Sequence, residues 1–504
     1  MKIVYIYILF TLFVITNTSH AQKIENSHPN IIFVMTDDQG MGDLSCMGNT
    51  ILKTPHLDSF YAKSTRFTNF QVSPTCAPTR SALMSGRRPF EVGVSHTILQ
   101  RERMALNVVT FPQALQKAGY TTGLFGKWHL GDEEAYLPQN RGFDEVLMHG
   151  AGGIGQEIYG DFPANSENTY FDNVLLHNNT IVKTKGFCTD IFFESALSWI
   201  KKQEESNEPY FCYLALNAPH GPFIAPEKYK KRFIEEGYDD KTAGRYGMIE
   251  NIDDNFGVLM EKLNDWNALE NTLVIFMTDN GMSMPKIKKD GKKISPFNAG
   301  MKGLKNTPWE GGTHVPAFWY WKGKLNEGED ISALTAHVDI YKTFCELAGA
   351  DIPESKLPPK GRSLVTLLGN PKAKWDDREM FIHKGRWDDN WKNLKTREEN
   401  KYIGASIRTN EWRLVFAEGE EKPHLSAITK DIGENINLAS KYPEVVEKLK
   451  ESYSKWWATL DPLLVNKNLP KVEPKDQPFN KRYYKQKEEK GIPEWAPDYQ
   501  KEAQ

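Results

Sequence analysis

Residues 29–38 read PNIIFVMTDD, an apolar run from Pro29 to Thr36 that stops abruptly at Asp37-Asp38. A strand with one wet face alternates polar and apolar residues, whereas a strand buried on both faces is apolar throughout, as in parallel sheets. The same texture returns at residues 271–278, NTLVIFMT, which end in Asp279-Asn280. Working outward, Tyr120 to Phe125 and Tyr210 to Leu216 read as further strands. Phe111 to Ala118, Asp190 to Lys202, Ala243 to Leu263 and Ile331 to Ala348 carry apolar residues at helical spacing, and Thr54 to Phe70 reads as a helix followed by an extended segment. Strands alternating with helices predict an α/β fold, a large and mainly parallel sheet sandwiched by helices.

Near residue 370 the texture changes. Trp375 to Asn400 is polar and aromatic, Tyr402 to Ile407 and Trp412 to Phe416 read as an antiparallel pair, and Pro443 to Leu460 as a helix. This predicts a smaller C-terminal α+β subdomain carrying an antiparallel sheet. The organisation expected is a leader over 1–21, a catalytic domain over 22–370, the subdomain over 371–468, and a Lys-, Glu- and Pro-rich surface tail over 469–504.

The leader begins with Lys2, continues through an apolar run from Ile3 to Ile15 and offers a small-x-small cleavage site at Ser19-His20-Ala21. It predicts a signal peptide and a periplasmic or secreted protein. The run is short for a membrane span and no later segment reaches the required length, so the mature chain is expected to have none. Of 504 residues, 39% are hydrophobic and 26% charged, the profile of a globular protein. A net charge of −3 argues against a general nucleic-acid binder, so any anion site must be built locally. Five cysteines, Cys46, Cys76, Cys188, Cys212 and Cys345, are too few and odd in number for a disulfide framework, and one thiol at least needs another explanation.

Sites in open α/β sheets form at the carboxyl ends of strands. Asp37 and Asp38 end one strand, Asp279 and Asn280 another, and together they offer hard oxygen ligands that suit Ca²⁺ or Mg²⁺ better than zinc. Residues 76–87, CAPTRSALMSGR, put Pro78 in the first turn of a helix, so Cys76 sits near a helix N-terminus where an anion is favoured, with Arg80 one turn away. An ordinary capped helix explains the Pro, but not Cys, Arg and Gly-Arg at these spacings.

This segment resembles the signature of the formylglycine-dependent sulfatase family, C-x-P-S-R followed by Leu, a small residue and Gly-Arg. Thr79 stands where that family usually has Ser. Further segments resemble the family's motifs in the expected order: Gly126 to Gly131 (GKWHLG), Asn217 to Phe223 (NAPHGPF), Thr278 to Gly281 (TDNG) and Lys305 to Pro316 (KNTPWEGGTHVP). In the last, Asn306 replaces the usual Gly and His314 the usual Arg. The resemblance is clear from about Pro29 to Pro316 and continues weakly through Ser406 to Thr409 and Trp412 to Leu414.

The resemblance implies an alkaline-phosphatase-like fold and a sulfuric ester hydrolase. By the same carry-over, a formylglycine-generating enzyme oxidises Cys76 to formylglycine (3-oxoalanine), whose hydrate attacks sulfur with one oxygen and expels sulfate by collapse through the other. Asp37, Asp38, Asp279, Asn280 and the modified Cys76 would bind one Ca²⁺, with Mg²⁺ an alternative. Arg80 and Lys127 would hold the diol, His129 would take the proton that triggers collapse, and Lys127, His220 and Lys305 would grip the sulfate. His220 or Lys305 would protonate the leaving alcohol. Phosphonate monoester and phosphodiester hydrolases share C-x-P-x-R and are the competing enzyme class. A chain that only binds sulfated glycan is the competing non-enzyme, against which the retained Cys76 and acids argue. An exported enzyme of this kind points to a sulfated polysaccharide or oligosaccharide, and Arg386, Trp387 and Trp391 in the aromatic stretch read as a candidate sugar subsite.

Overall fold

The computed structural model describes residues 24–98, 100–166, 169–206, 208–386, 398–466 and 472–498. The leader reading over 1–21 and the subsite residues Trp387 and Trp391 lie outside them.

Ten strands form one sheet: β1 (Asn30–Thr36), β2 (Thr65–Phe67), β3 (Thr121–Lys127), β4 (Glu145–His149), β5 (Val174–His177), β6 (Thr180–Lys183), β7 (Tyr210–Ala215), β8 (Thr272–Thr278), β9 (Ala317–Tyr320) and β10 (Asp330–Ile331). Their order is β10-β2-β9-β8-β1-β7-β3-β4-β5-β6. The five strands from β8 to β4 are parallel, while β9 and β5 join either side antiparallel, so the sheet is mixed with a parallel centre. The two apolar runs are neighbours, with Asn30 opposite Thr272 and Thr36 opposite Thr278.

The reason β1 is apolar throughout is visible in its packing. Ile31, Phe33 and Met35 enter one core with Phe111, Leu115 and Phe344, whereas Ile32 and Val34 enter the other with Ile191, Ile252 and Phe256. The helices Phe111–Lys117 and Ile340–Leu347 cover the first face, and Cys188–Ser206 and Asp240–Asp265 the second. Each fully buried Ile, Val or Phe contributes about 1.5–3 kcal/mol relative to exposure.

Two expectations are corrected. The helix expected over Ile331 to Ala348 occupies only Ile340–Leu347; before it come the end of β10, a two-residue strand Thr335–Ala336 and a turn of 3-10 helix. The Asp339 carboxylate accepts the Ala336 amide at 2.8 Å and so fixes a helix start rather than a helix interior. The tail expected on the surface from 469 carries a helix, Pro478–Lys490, that buries Phe479 and Tyr483 in the first core. Gln486 brackets Ile181 of β6, its amide donating to the Ile181 carbonyl and its side-chain oxygen accepting the Ile181 N–H, and the Trp495 amide donates to Lys183. The polar composition hid two aromatic residues one turn apart that dock the helix and close the sheet edge.

The C-terminal subdomain is a four-stranded antiparallel sheet of β11 (Met380–His383), β12 (Ala405–Arg408), β13 (Trp412–Phe416) and β14 (His424–Ala427). The predicted pair forms its middle. Helix Pro443–Ala458 packs Leu449, Tyr453 and Trp457 against Ala405, Ile407 and Leu414. Among the described residues no helix is long and apolar enough to cross a membrane, and none of the five cysteines is paired.

Candidate functional site

Because β1 and β8 end side by side, their following residues meet above the carboxyl edge of the sheet. The Asp279 amide donates to Thr36 O at 3.1 Å, and the Asp38 amide to Asp279 Oδ1 at 3.1 Å. Asn280 Nδ2 donates to Asp38 Oδ1 at 2.9 Å. All four residues are buried. Asp38 takes φ 65°, a left-handed conformation that Asp tolerates better than most residues.

Helix Cys76–Ser85 lies buried along its whole length and presents its first residue to these acids. One ligand atom each of Asp37, Cys76 and Asp279 falls within 4.8 Å of the other two. Thr79, in place of the family's Ser, accepts the Ser73 amide at 3.1 Å and donates to Ser73 O at 3.2 Å, bonds that any β-hydroxyl can make. Arg80 Nη2 reaches Asp279 Oδ2 and Arg80 Nη1 reaches Lys127 O, both at 2.9 Å, tying the helix to β3 and β8.

Lys127, Lys305 and His220 arrive on three separate segments. Lys127 ends β3 and its Nζ lies 2.6 Å from Asp37 Oδ2. Gly126 before it has φ 116°, and a Cβ there would fall 2.0 Å from Ala215 O, so the approach of β3 to β7 requires glycine. Lys305 Nζ lies 2.6 Å from Asp38 Oδ1, and His220 Nε2 lies 3.7 Å from Asp38 Oδ2. Asn306 has φ 66°, where Gly is the usual residue and Asn a common substitute, and its amide donates to Pro74 O two residues before Cys76. The loop therefore keeps its course without the family's glycine.

Each histidine is held by a backbone carbonyl. His129 Nε2 donates to Thr97 O at 2.7 Å, so its Nδ1 carries the lone pair and has no partner among the described residues. Gly152 packs on this ring; a Cβ there would lie 2.5 Å from it. His220 Nδ1 donates to Gly221 O at 2.7 Å, which turns Nε2 toward Asp38. Burial, reinforced by Lys127, holds His129 well below the usual histidine range, and burial with Lys305 lowers His220 to about 3. Burial would raise the Asp38 carboxyl, but Lys305 and His220 outweigh it and hold it low. Asp279 is pushed up to about 7 by burial and then by repulsion from Asp37.

That repulsion bears on the metal. Three buried carboxylates crowd one spot, and Asp37 Oδ1 and Asn280 Oδ1 are buried with no donor among the described residues. A hard divalent cation would satisfy both oxygens and relieve the crowding, so the residues present fit such an ion.

Two supports were not legible in the sequence. Arg245 donates to Asp43 with Nη1 at 2.8 Å and Nη2 at 2.5 Å, and to Asp38 O at 3.3 Å, while Asp43 also accepts the Gly40 amide at 2.8 Å. This buried pair braces the turn that carries Asp37 and Asp38. The Tyr170 hydroxyl shares its one proton between Asn217 O and His220 O and accepts from Asn217 Nδ2, fixing the loop that carries His220. Tyr170→Phe is expected to cost about 0.5–1.5 kcal/mol for the lost hydrogen bonding. A urea titration should show the midpoint falling with the slope unaltered.

His314, the other departure from the family pattern, places Nδ1 2.9 Å from Glu310 Oε2 and Nε2 3.0 Å from Thr68 O. Glu310 is also met by Arg408 Nε and Arg413 Nη1, both at 2.7 Å, and by Gln71 Nε2 at 3.0 Å. The segments 406–409 and 412–414 thus join the C-terminal sheet to the loop that carries Lys305.

The family model described as Sulfatase matches residues 29–350. The chain is 30% identical over 408 residues to N-acetylgalactosamine-6-sulfatase of Homo sapiens, covering 73% of each. To arylsulfatase A of Homo sapiens it is 29% identical over 456 residues, 84% of this chain and 86% of the relative. A crystal structure of Ps i-CgsB in complex with k-i-k-neocarrahexaose superposes with a TM-score of 0.75 at 26% identity, over 87% of this chain and 94% of the other.

Proposed function

The chain belongs to the sulfatase family of sulfuric ester hydrolases, and on that premise we propose that it hydrolyses sulfate esters of a sulfated glycan with a nucleophile made from Cys76. The observation that carries the proposal is the meeting of Cys76 with Asp37 and Asp279 within 4.8 Å, with Lys127 on Asp37 and with Lys305 and His220 on Asp38. A helix N-terminus and two lysines supply positive potential for a bound sulfate.

In this reading Cys76 is oxidised to formylglycine before the enzyme works. Water adds to the aldehyde to give the hydrate. One hydroxyl of the hydrate gives up its proton to solvent and forms the new S–O bond as the S–O bond to the alcohol breaks. The remaining hydroxyl then gives its proton to His129 Nδ1, the C–O bond to sulfate breaks, and the aldehyde returns. His129 suits this step because its tautomer is fixed by Thr97 and it stays neutral. Arg80 and Lys127 orient the hydrate. Lys305, held charged by Asp38, clamps the sulfate throughout. His220 protonates the leaving alcohol, since the negative charge of an arriving sulfate opposes the pull of Lys305 and lets Nε2 take up a proton. Asp37, Asp38, Asp279, Asn280 and the modified Cys76 would hold a divalent cation, Ca²⁺ by family resemblance, which would polarise the substrate and favour ionised oxygen. The related glycan sulfatases support a sulfated polysaccharide or oligosaccharide as substrate.

The test is inorganic sulfate release from a panel of sulfated glycans, with the protein co-produced with a formylglycine-generating enzyme and Cys76→Ala as control. Release absent from the control supports the reading. No release with formylglycine verified by mass, alongside cleavage of a phosphonate monoester, would favour the phosphoester hydrolase instead. Cation binding has its own expected outcome. Ca²⁺ at a hundredfold over its dissociation constant should stabilise the protein by about 2.7 kcal/mol. The gain should vanish in Asp37→Asn. A thermal melt with Ca²⁺, Mg²⁺ and chelator reads it directly and ranks the two ions.

A further inference from the structure

Arg386 follows β11 and brings the C-terminal subdomain to the site. Its amide donates to Ser95 O at 3.2 Å, and its Nη2 donates to Thr97 Oγ1 at 2.9 Å. Thr97 is also the residue whose carbonyl holds His129, so one residue separates this guanidinium from the histidine at the site.

Arg386 is half-buried, and its partners differ from those of several arginines around the site and the subdomain contact. Arg80, Arg245, Arg378, Arg408 and Arg413 each face a carboxylate. Among the described residues Arg386 has no carboxylate within ion-pair distance, and its buried Nε has no acceptor. Beside it stands His96, buried, with Nδ1 accepting the amides of Thr97 at 2.8 Å and Ile98 at 3.2 Å. Those bonds fix the tautomer and leave Nε2–H as a donor. Burial, then Arg386, then Arg101, lower His96 to about 3, so it is a neutral donor among cations. A buried guanidinium N–H without an acceptor is costly, and donors assembled this way suit an anion.

We infer that Arg386, with His96 beside it, forms a second anion subsite that selects glycans carrying a further acidic group next to the sulfate ester being cleaved. The group is a second sulfate or a uronic acid carboxylate, both of which match the planar fork of a guanidinium. The inference rests on the sulfatase reading above and adds the substrate class to it.

The test uses formylglycine-bearing wild type, Arg386→Ala, Arg386→Lys and Thr97→Val. The probes are monosulfated galactose, N-acetylgalactosamine and N-acetylglucosamine, each compared with its disulfated form and with its uronic acid disaccharide. The quantity read is the ratio of kcat/KM for the doubly acidic substrate to that for the singly acidic one. Wild type should prefer one doubly acidic form, and which of the two it prefers identifies the group. Arg386→Ala should reduce that ratio about ten- to a hundredfold, the span of a hydrogen bond to a charged group. Arg386→Lys should retain part of it. Thr97→Val keeps the carbonyl that holds His129 and removes only the acceptor of Arg386, so it should lower the ratio in the same direction, by less than Arg386→Ala. A wild type without preference overturns the subsite. So does an Arg386→Ala protein whose rates on singly and doubly acidic substrates fall together, because Arg386 would then only brace Thr97. Absence of sulfate release from every probe by wild type strikes the sulfatase reading itself, an outcome distinct from an unchanged ratio.

Discussion

Replacing Cys76 by Ala should lower sulfate release at least about a thousandfold, in line with losing the nucleophile in other covalent enzymes. The surrounding groups explain why so little would remain. Lys127 and Lys305 bind a sulfate, and His129 can accept a proton, yet none of them can be attacked through and regenerated. Cys76→Ser is the sharper variant. Its hydroxyl sits at the same helix N-terminus and can form the sulfate ester, but it has no second hydroxyl from which His129 can take a proton to expel sulfate. The expected result is at most one turnover per chain, with the peptide that carries the substitution found sulfated by mass. Continued turnover by the serine variant would show that release does not require the hydrated aldehyde. Because Cys76 is buried within a helix buried throughout, neither change alters an exposed surface, and circular dichroism should report an intact fold.

Glu310→Ala should destabilise the protein by about 3–5 kcal/mol, the usual effect of removing one member of a buried ion pair. Burial alone would raise the Glu310 carboxyl, but Arg408 and Arg413 hold it well below the usual carboxylate range. Without it both guanidinium groups stay inside with only Glu434, Thr313, Asn69, Gln71 and the Pro308 carbonyl nearby. The loss should appear in a urea titration as an earlier midpoint. Since Glu310 joins the two parts, a separate early phase detected through the tryptophans of helix Pro443–Ala458 would locate the damage at the subdomain contact. A variant as stable as wild type would mean that water enters and solvates the arginines.

How far the sequence led depended on how local each signal was. β1 and β8 were legible because burial on both faces leaves a continuous apolar run, and the site residues at their ends followed from the rule that sheet sites lie at carboxyl edges. The flanks were not legible. β2 and β10 are three and two residues long, too short to carry a period, and their pairing is decided by partners about 260 positions away. The tail misled because composition averages out two aromatic residues that decide its placement. Asp43 and Arg245 lie 202 positions apart, and Thr97 and Arg386 lie 289 apart; no local pattern announces such pairs. The departures at Thr79 and Asn306 could be interpreted only once hydroxyl geometry and a left-handed backbone were visible.

The closure of β6 by Gln486 and Trp495 has a consequence for biosynthesis. The border strand and the residues that seal it are about 305 positions apart, so a nascent chain carries an open hydrogen-bonding border for most of its translation. Premature termination anywhere between would leave that border bare, a ready seam for joining with another chain. The order in which the ribosome delivers these segments thus makes sheet closure a late event and gives incomplete products a distinguishing mark that proteases or chaperones can read.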